Sequence, residues 1–325
     1  MGGYAKDICV VGGAGHVGLP LALAFAAADR NVIIYDLDTA TMDVISNGTM
    51  PFVEHGAEPL LEQALREDRL TFTAEPQQIE QAEYVIVAIG TPVDEYLNPK
   101  LRALLDLFKG LRPYLSPSQT IIIRSTVFPG TCRHVERVLD EEEDQWKIAY
   151  CPERIAQGFA IRELSELPQI VSGTSSETVE SAARLFALLA PEIVRLEIEE
   201  AELAKLFSNA WRYVQFAASN QFYMLANTVG ADFNRIRDAM VRGYGRAASL
   251  PKAGFAAGPC LLKDTMQLAA LNSNNFWLGH SAMMVNEGLP SFIVESLNRK
   301  YDLVGMRVGI LGMAFKADVD DTRDS

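Results

Sequence analysis

Short apolar runs of β type recur through the first half of the chain, at residues 7–11, 31–35, 84–89, 120–123, 146–150 and 169–172. Between them, around 57–68 and 101–115, apolar residues fall at three- and four-residue steps, the spacing of helices with one buried face. Strands alternating with helices predict βαβ units and a parallel sheet. The texture changes near Leu196. Residues 199–229 predict one long helix, with Leu203, Leu206, Phe207, Ala210, Val214 and Ala217 recurring along it and no Pro or Gly before Gly230. A second helical group covers 265–297, and Gly279, Gly288 and Pro290 are expected to break it. Residues 307–311 read as a new strand, whose loop runs off the end at Ser325.

Length and composition narrow this picture. At about 150 residues per domain, 325 residues give about two domains. The 49% hydrophobic and 22% charged fractions belong to a folded globular chain. A net charge of −13, with no basic block, lacks the footprint of a nucleic-acid binder. The longest apolar run, 18–28, falls short of the roughly 18–20 residues that cross a bilayer, and it follows a glycine cluster rather than a basic leader. The reading is therefore no nucleic acid, no membrane and a cytoplasmic address. Cys9, Cys132, Cys151 and Cys260 form no CxxC pair and lie near no histidine cluster, so neither a metal site nor a disulfide framework is expected.

The first apolar run leads into Gly12-Gly13-Ala14-Gly15-His16-Val17-Gly18 and then an alanine-rich helical stretch. Gly13, Gly15 and Gly18 satisfy GxGxxG: the glycines allow a tight turn, close approach of pyrophosphate to backbone, and packing of helix on strand. The N–H groups at the helix start, near His16 and Val17, then face the phosphates. The second strand ends at Asp36, suited to the adenosine ribose hydroxyls and repulsive to a 2′-phosphate, which favours NAD over NADP. A plain helix-capping turn is the competing reading. Thr91, in Gly90-Thr91-Pro92, and Thr126, in Ser125-Thr126, follow predicted strands at the sheet edge where ligands bind, although either loop could equally be an ordinary turn.

Around Cys260 the chain reads Gly258-Pro259-Cys260-Leu261-Leu262-Lys263-Asp264. If a helix begins there, Lys263 and Asp264 share the thiol's face. A helix N-terminus and an ammonium both favour the thiolate, so Cys260 is a candidate nucleophile; a small buried hydrophobe beside a capped helix is the alternative. Lys205 and Asn209, at i and i+4 on the long helix, border an apolar stripe and could meet a developing oxyanion, or could simply face solvent.

Together these residues resemble the UDP-glucose/GDP-mannose dehydrogenase family. Seven blocks match in order: the glycine turn, Gly90-Thr91-Pro92, Ser125-Thr126-Val127-Phe128-Pro129-Gly130-Thr131, Pro152-Glu153-Arg154, Ala201-Glu202-Leu203-Ala204-Lys205 with Asn209, the Cys260 block, and Gly312-Met313-Ala314-Phe315-Lys316 with Asp320-Asp321-Thr322-Arg323. The resemblance implies an α/β chain with a Rossmann-like NAD domain at 1–198, an α-helical central, dimerising domain at 199–303, and at 304–325 the first strand and loop of a truncated UDP-binding domain. That last segment is expected to be flexible or docked on a neighbour. The implied reaction is a four-electron oxidation of a UDP-sugar C6 hydroxyl to the acid, using two NAD and a thiohemiacetal and thioester on Cys260. Lys205 and Asn209 would stabilise oxyanions, Asp264 and Glu153 would serve the hydrolytic water, and Thr126 would hold a water or hydroxyl. Lys263 would touch the cofactor, while Glu153, Arg154, Gly258 and either Arg242 or Arg246, reaching from the partner of a homodimer, would bind substrate. Pro152-Glu153-Arg154 leans toward a UDP-N-acetylhexosamine, and Ala257 and Pro259 depart from the usual residues before the cysteine.

Two other readings compete: a two-electron hydroxyacid-type dehydrogenase, which needs no thiol, and an inactive NAD-binding or dimerisation fragment. The NADH formed per sugar consumed separates them, with two expected here, one for the simpler dehydrogenase and none for the fragment.

Overall fold

The computed structural model describes residues 4–91, 94, 100–140, 145–323 and 325. It divides into two compact units. The first takes in the described residues up to Lys205 together with Asp318–Asp320, and the second Leu206–Ala317 with the described residues from Asp321 on.

The first unit is built on one eight-stranded sheet. Its strands are β1 (Lys6–Val11), β2 (Val32–Tyr35), β3 (Leu70–Thr73), β4 (Ala82–Val87), β5 (Thr120–Ile123), β6 (Lys147–Tyr150), β7 (Gln169–Gly173) and β8 (Ile193–Arg195). Their order is β3-β2-β1-β4-β5-β6-β7-β8. β3 through β6 pair in parallel, as in Val10 opposite both Ile34 and Ile86, so each interior strand needs cover on both faces. That is why the strands are continuous apolar runs. Successive side chains alternate between faces. Ile8, Val10, Ile34, Ile86 and Ile122 pack with α1 (Gly18–Ala27), α3 (Ala57–Arg66), α6 (Ala160–Glu166) and α7 (Ser176–Phe186). Cys9, Val11, Val85, Val87, Ile121 and Ile123 pack with α4 (Leu101–Leu111) and α5 (Thr131–Leu139). A short helix, α2 (Thr39–Ser46), follows β2, capped by Asp38.

The sheet departs from the all-parallel expectation at β7, which runs antiparallel to β6, with β8 parallel to β7. β7 is buried on both faces like its parallel neighbours, so its own run does not reveal the reversed direction. β3 and β8 are also absent from the predicted strands. Both are edge strands with half-exposed residues and lack the dense apolar run that marks interior strands.

The second unit is helical. Most of α8 (Ile198–Thr228) belongs to it, followed by α9 (Phe233–Val241), α10 (Leu261–Leu271) and α11 (Trp277–Lys300). Gly279, Gly288 and Pro290, expected as breaks, all lie inside α11. Pro290 removes one helical hydrogen bond, normally at a cost of about 3 kcal/mol, but Asn286 and Leu289 are buried on the neighbouring turn and Asn286 is bonded to Asn220 and to Tyr213 O. Packing holds the helix through the proline. The actual break falls between α10 and α11, where Ser273 and Asn274 adopt left-handed φ of 50° and 61°.

Residues 307–311 form no strand; Val308, Ile310 and Leu311 are exposed, and without neighbours on both sides a strand of a parallel sheet has nothing to pair with. The following residues are nevertheless anchored within the chain rather than loose. In the first unit, Val53 N donates to Asp320 Oδ2 at 3.2 Å and Val319 lies against Gly158. In the second, Phe315 lies against Gly258.

Cys9 and Cys151, fully buried in and beside the sheet, have thiols pushed by burial up to about 12 from 9.0. The unfolded chain gives up these protons at lower pH than the folded one, so their contribution to stability is complete below pH 9 and is lost as pH rises toward about 12. Urea unfolding at about pH 8 and about pH 10.5 is expected to show a lower midpoint at the higher pH, and replacing both cysteines by alanine should remove part of that drop.

Candidate active site

The parallel part of the sheet reverses its order between β1 and β4, the switch point at whose carboxyl edge such sheets bind ligands. The glycine turn leaves β1 there. Gly12 N and Gly13 N both donate to Tyr35 O, at 3.0 and 3.3 Å, which locks the turn to β2. A Cβ on Gly13 would meet Val10 O at 2.7 Å, and one on Gly18 would meet Gly12 O at 2.2 Å, so neither position admits a side chain. Gly15 differs: its nearest neighbour would be 3.5 Å away, leaving the open approach a pyrophosphate requires. Asp36 Oδ2 accepts from Ala14 N at 3.0 Å and Oδ1 from Asp38 N at 3.1 Å, so the acidic residue at the end of β2 also holds the turn. α1 begins without a side-chain cap or an acidic residue in its first turn, so no side chain competes with an anion there, although Leu19 N already donates to Gly15 O at 2.9 Å and Pro20 has no N–H. His16 stacks on Phe52 with centroids 4.1 Å apart. These residues fit an NAD dinucleotide.

Thr91 follows β4 at the same edge; its neighbour Pro92 lies outside the described residues. Thr126 is half-buried in the loop after β5, and that loop is fixed at both ends. Ser125 Oγ donates to Ile89 O at 2.7 Å. At the far end Glu202, with no exposure, accepts from Gly130 N at 2.6 Å and Cys132 N at 2.9 Å, supplying α5 with the cap its own residues lack. Glu202 stands one turn before Lys205 on α8, and Lys205 itself is 8% exposed.

Glu153 sits in the segment after β6. Its Oε1 accepts from Arg154 N at 2.7 Å and Ile155 N at 2.8 Å, and its Oε2 pairs with the Arg124 guanidinium. Arg124, only 1% exposed, also donates to Cys151 O and Gln169 Oε1, and it lies 4.9 Å over the Phe186 ring. Arg154 donates to Pro168 O, and its burial lowers its basicity. In this arrangement Arg154 braces the backbone.

In the second unit Cys260 is the N-cap residue of α10, as expected, and it is exposed, whereas Cys9, Cys132 and Cys151 are buried; none of the four is in a disulfide. Asp264, with no exposure, accepts from Asn209 Nδ2 at 2.6 Å and lies 3.5 Å from Lys263 Nζ. Asn209, Lys263 and Asp264 are thus assembled at the head of the cysteine's helix. Gly258, two residues before the thiol, is buried with φ +97°. Arg242 and Arg246 stand exposed after α9, and Arg246 packs over Tyr244 at 5.7 Å. Among the described residues no group of three or more His, Cys, Asp or Glu is placed to hold a metal.

Sequence reasoning assigned no role to Arg124, Gln169, Glu202 or Phe315. The signal for Arg124 was present: a charge directly after Thr-Ile-Ile-Ile, in a strand buried on both faces, must be paired. Glu202 carried the same signal on the apolar side of its helix.

A doubly wound sheet with an open glycine turn at its switch point, joined to a helical unit with an exposed N-cap cysteine, defines a dinucleotide-dependent oxidoreductase. Residues 6–190 match the NAD binding domain of the UDP-glucose/GDP-mannose dehydrogenase family and residues 199–287 match its central domain, so the chain belongs to that family. A UDP-N-acetyl-D-mannosamine dehydrogenase of Campylobacter jejuni is 29% identical, aligned over 98% of this chain and 81% of its own length. A UDP-glucose 6-dehydrogenase of Bacillus subtilis is 28% identical over 98% of this chain and 74% of its own. The solved structure of a UDP-D-ManNAc dehydrogenase from Pyrococcus horikoshii superposes with a TM-score of 0.90 at 26% identity, covering 98% of this chain and 78% of that one.

The glycines make separable predictions. Gly18→Ala forces a Cβ into Gly12 O and is expected to lower stability by about 1–3 kcal/mol in urea unfolding. Gly15→Ala should leave the urea midpoint close to wild type while weakening NAD in a fluorescence titration.

Proposed function

We propose that this chain is a nucleotide-sugar 6-dehydrogenase, which oxidises the C6 hydroxyl of a UDP-sugar to the carboxylate in two NAD-dependent steps through a thioester on Cys260. The observation that carries the reading is the exposed Cys260 at the start of α10, with Lys263, Asp264 and Asn209 gathered around that helix end. A two-electron alcohol oxidation needs no such thiol. The relatives' names support a UDP-sugar, and among UDP-sugars the Pro152-Glu153-Arg154 block and the mannosamine relatives favour a UDP-N-acetylhexosamine over UDP-glucose.

NAD, when bound at the glycine turn, would supply the hydride acceptor for both oxidations. Lys205, almost buried, takes the hydroxyl proton in the first oxidation and faces the negative oxygen that develops afterwards. The Cys260 thiolate attacks the aldehyde carbon to give a thiohemiacetal, whose oxygen is stabilised by Lys205 and by Asn209. Asn209 can do this because its amide has two N–H groups and Asp264 uses one. After the second oxidation the thioester is opened by water. Asp264 positions that water, and Thr126 holds a water or hydroxyl beside the reacting carbon. Glu153 accepts the proton on a carboxylate oriented by Arg124 and by the N–H groups of Arg154 and Ile155. Lys263 contacts the cofactor, while Arg154 and Gly258 serve the substrate.

The active form is a homodimer in the cytoplasm, with Arg242 or Arg246 serving the neighbouring protomer. No described helix is long and apolar enough to cross a membrane. The dimer reading rests on Phe207, Trp211, Phe222 and Leu225, large apolar side chains exposed along α8.

Cys260→Ser is expected to abolish acid formation while leaving NAD binding within about twofold of wild type, because the mutation lies outside the glycine-turn unit. Full acid production by that variant contradicts the thioester route. Light scattering is expected to give twice the 35.7 kDa chain mass; a monomer removes the shared-arginine proposal.

A further inference from the structure

The turn that presents Cys260 is shaped by a residue 57 positions further along the chain. Gly258 is buried, in the left-handed conformation at φ +97°. A Cβ added there would meet Phe315 Cδ2 at 2.7 Å and Cε2 at 3.0 Å, so the ring lies directly against the glycine's backbone. This is a contact only glycine permits, for its φ and for the space.

Phe315 is itself held. Its N–H donates to Asp321 O at 3.0 Å. Asp321 is 8% exposed and clamped by Arg323, through N and Nε to Oδ1 at 3.0 Å each and through Nη2 to Oδ2 at 2.6 Å. Lys316 Nζ stands 5.9 Å over the ring. An otherwise exposed terminal segment therefore spends a buried carboxylate and a two-pronged guanidinium on fixing one aromatic ring, and that ring touches the residue two before the thiol.

We propose that Phe315 is a positioning residue for Cys260: its ring seats the Gly258-Pro259 turn and so holds the thiol at the N-terminus of α10, where the helix favours the thiolate. The proposal rests on Cys260 being the nucleophile, yet it concerns the thiol's reactivity, which can be read without substrate. It also gives the Ala314-Phe315-Lys316 block a task inside the chain: whatever moves that segment changes the reactivity of Cys260.

The test is the rate of Cys260 alkylation by iodoacetamide, followed by mass spectrometry on the native full chain across a range of pH. Phe315→Ala is expected to slow alkylation near neutral pH roughly threefold or more and to move its pH midpoint upward, with NAD affinity unchanged. Phe315→Tyr, which keeps the ring, should retain the wild-type rate. Gly258→Ala should slow alkylation too, and less so in a Phe315→Ala background, because the ring it collides with is gone. If Phe315→Ala does not fold, Phe315→Leu carries the same expectation. A wild-type rate and midpoint in the folded Ala or Leu variant overturns the proposal. Full acid production by Cys260→Ser would instead overturn the nucleophile reading, with the alkylation rates unaffected by that outcome.

Discussion

A carboxylate with no exposure to water must be compensated where it stands, and in the helical unit that requirement falls on Asp264. Asn209 from α8 and Lys263 from its own helix meet it. The bond to Asn209 ties α10 to α8, and since Cys260 is the N-cap residue of α10, the same bond fixes the helix end that carries the thiol. Loss of Asn209 would leave the carboxylate to Lys263 and Gln267 and remove one charge-assisted hydrogen bond, worth about 1.5–3 kcal/mol, so structure and chemistry share one interaction. Asn209 is left with one N–H for other use, which is the economy expected of a residue serving both.

The sheet unit solves its buried charges in the same way. Glu202 meets the open N–H groups of α5, and Arg124 meets Glu153 together with Cys151 O just after β6 and Gln169 on β7. Both are anchored on the loops that follow β5 and β6, at the carboxyl edge of the sheet. The loops bearing Thr126 and Glu153 are therefore held by ionic groups in addition to the packing of Val127 and Ile155, and small changes in those pairs would be felt at the groups proposed to handle water.

Much of this was readable in the chain because it rests on steric necessity. Gly13 and Gly18 announce the dinucleotide turn since no other residue fits, and α8 announces a long helix because an apolar stripe recurs at helical steps from Leu203 to Ala217 and no Pro or Gly interrupts the helix. The start of α10 at Cys260 was legible for a similar reason: Gly258-Pro259 stops one conformation and lets another begin. What was not legible depends on partners distant in sequence. The reversal at β7, the survival of α11 through Pro290 and the failure of 307–311 to form a strand are each decided by neighbours that periodicity does not reveal. Phe315 belongs to the same class, as its role exists only through contact with Gly258.

The central claim is that Cys260 carries the substrate's acyl group. Glu153→Gln, incubated with NAD and a UDP-N-acetylhexosamine, then denatured in acid and digested, tests it by peptide mass spectrometry. The account predicts an adduct of the uronyl nucleotide on the peptide containing Cys260 and on no other. Turnover to the acid with Cys260 unmodified, or an adduct on Cys9, Cys132 or Cys151, would contradict it.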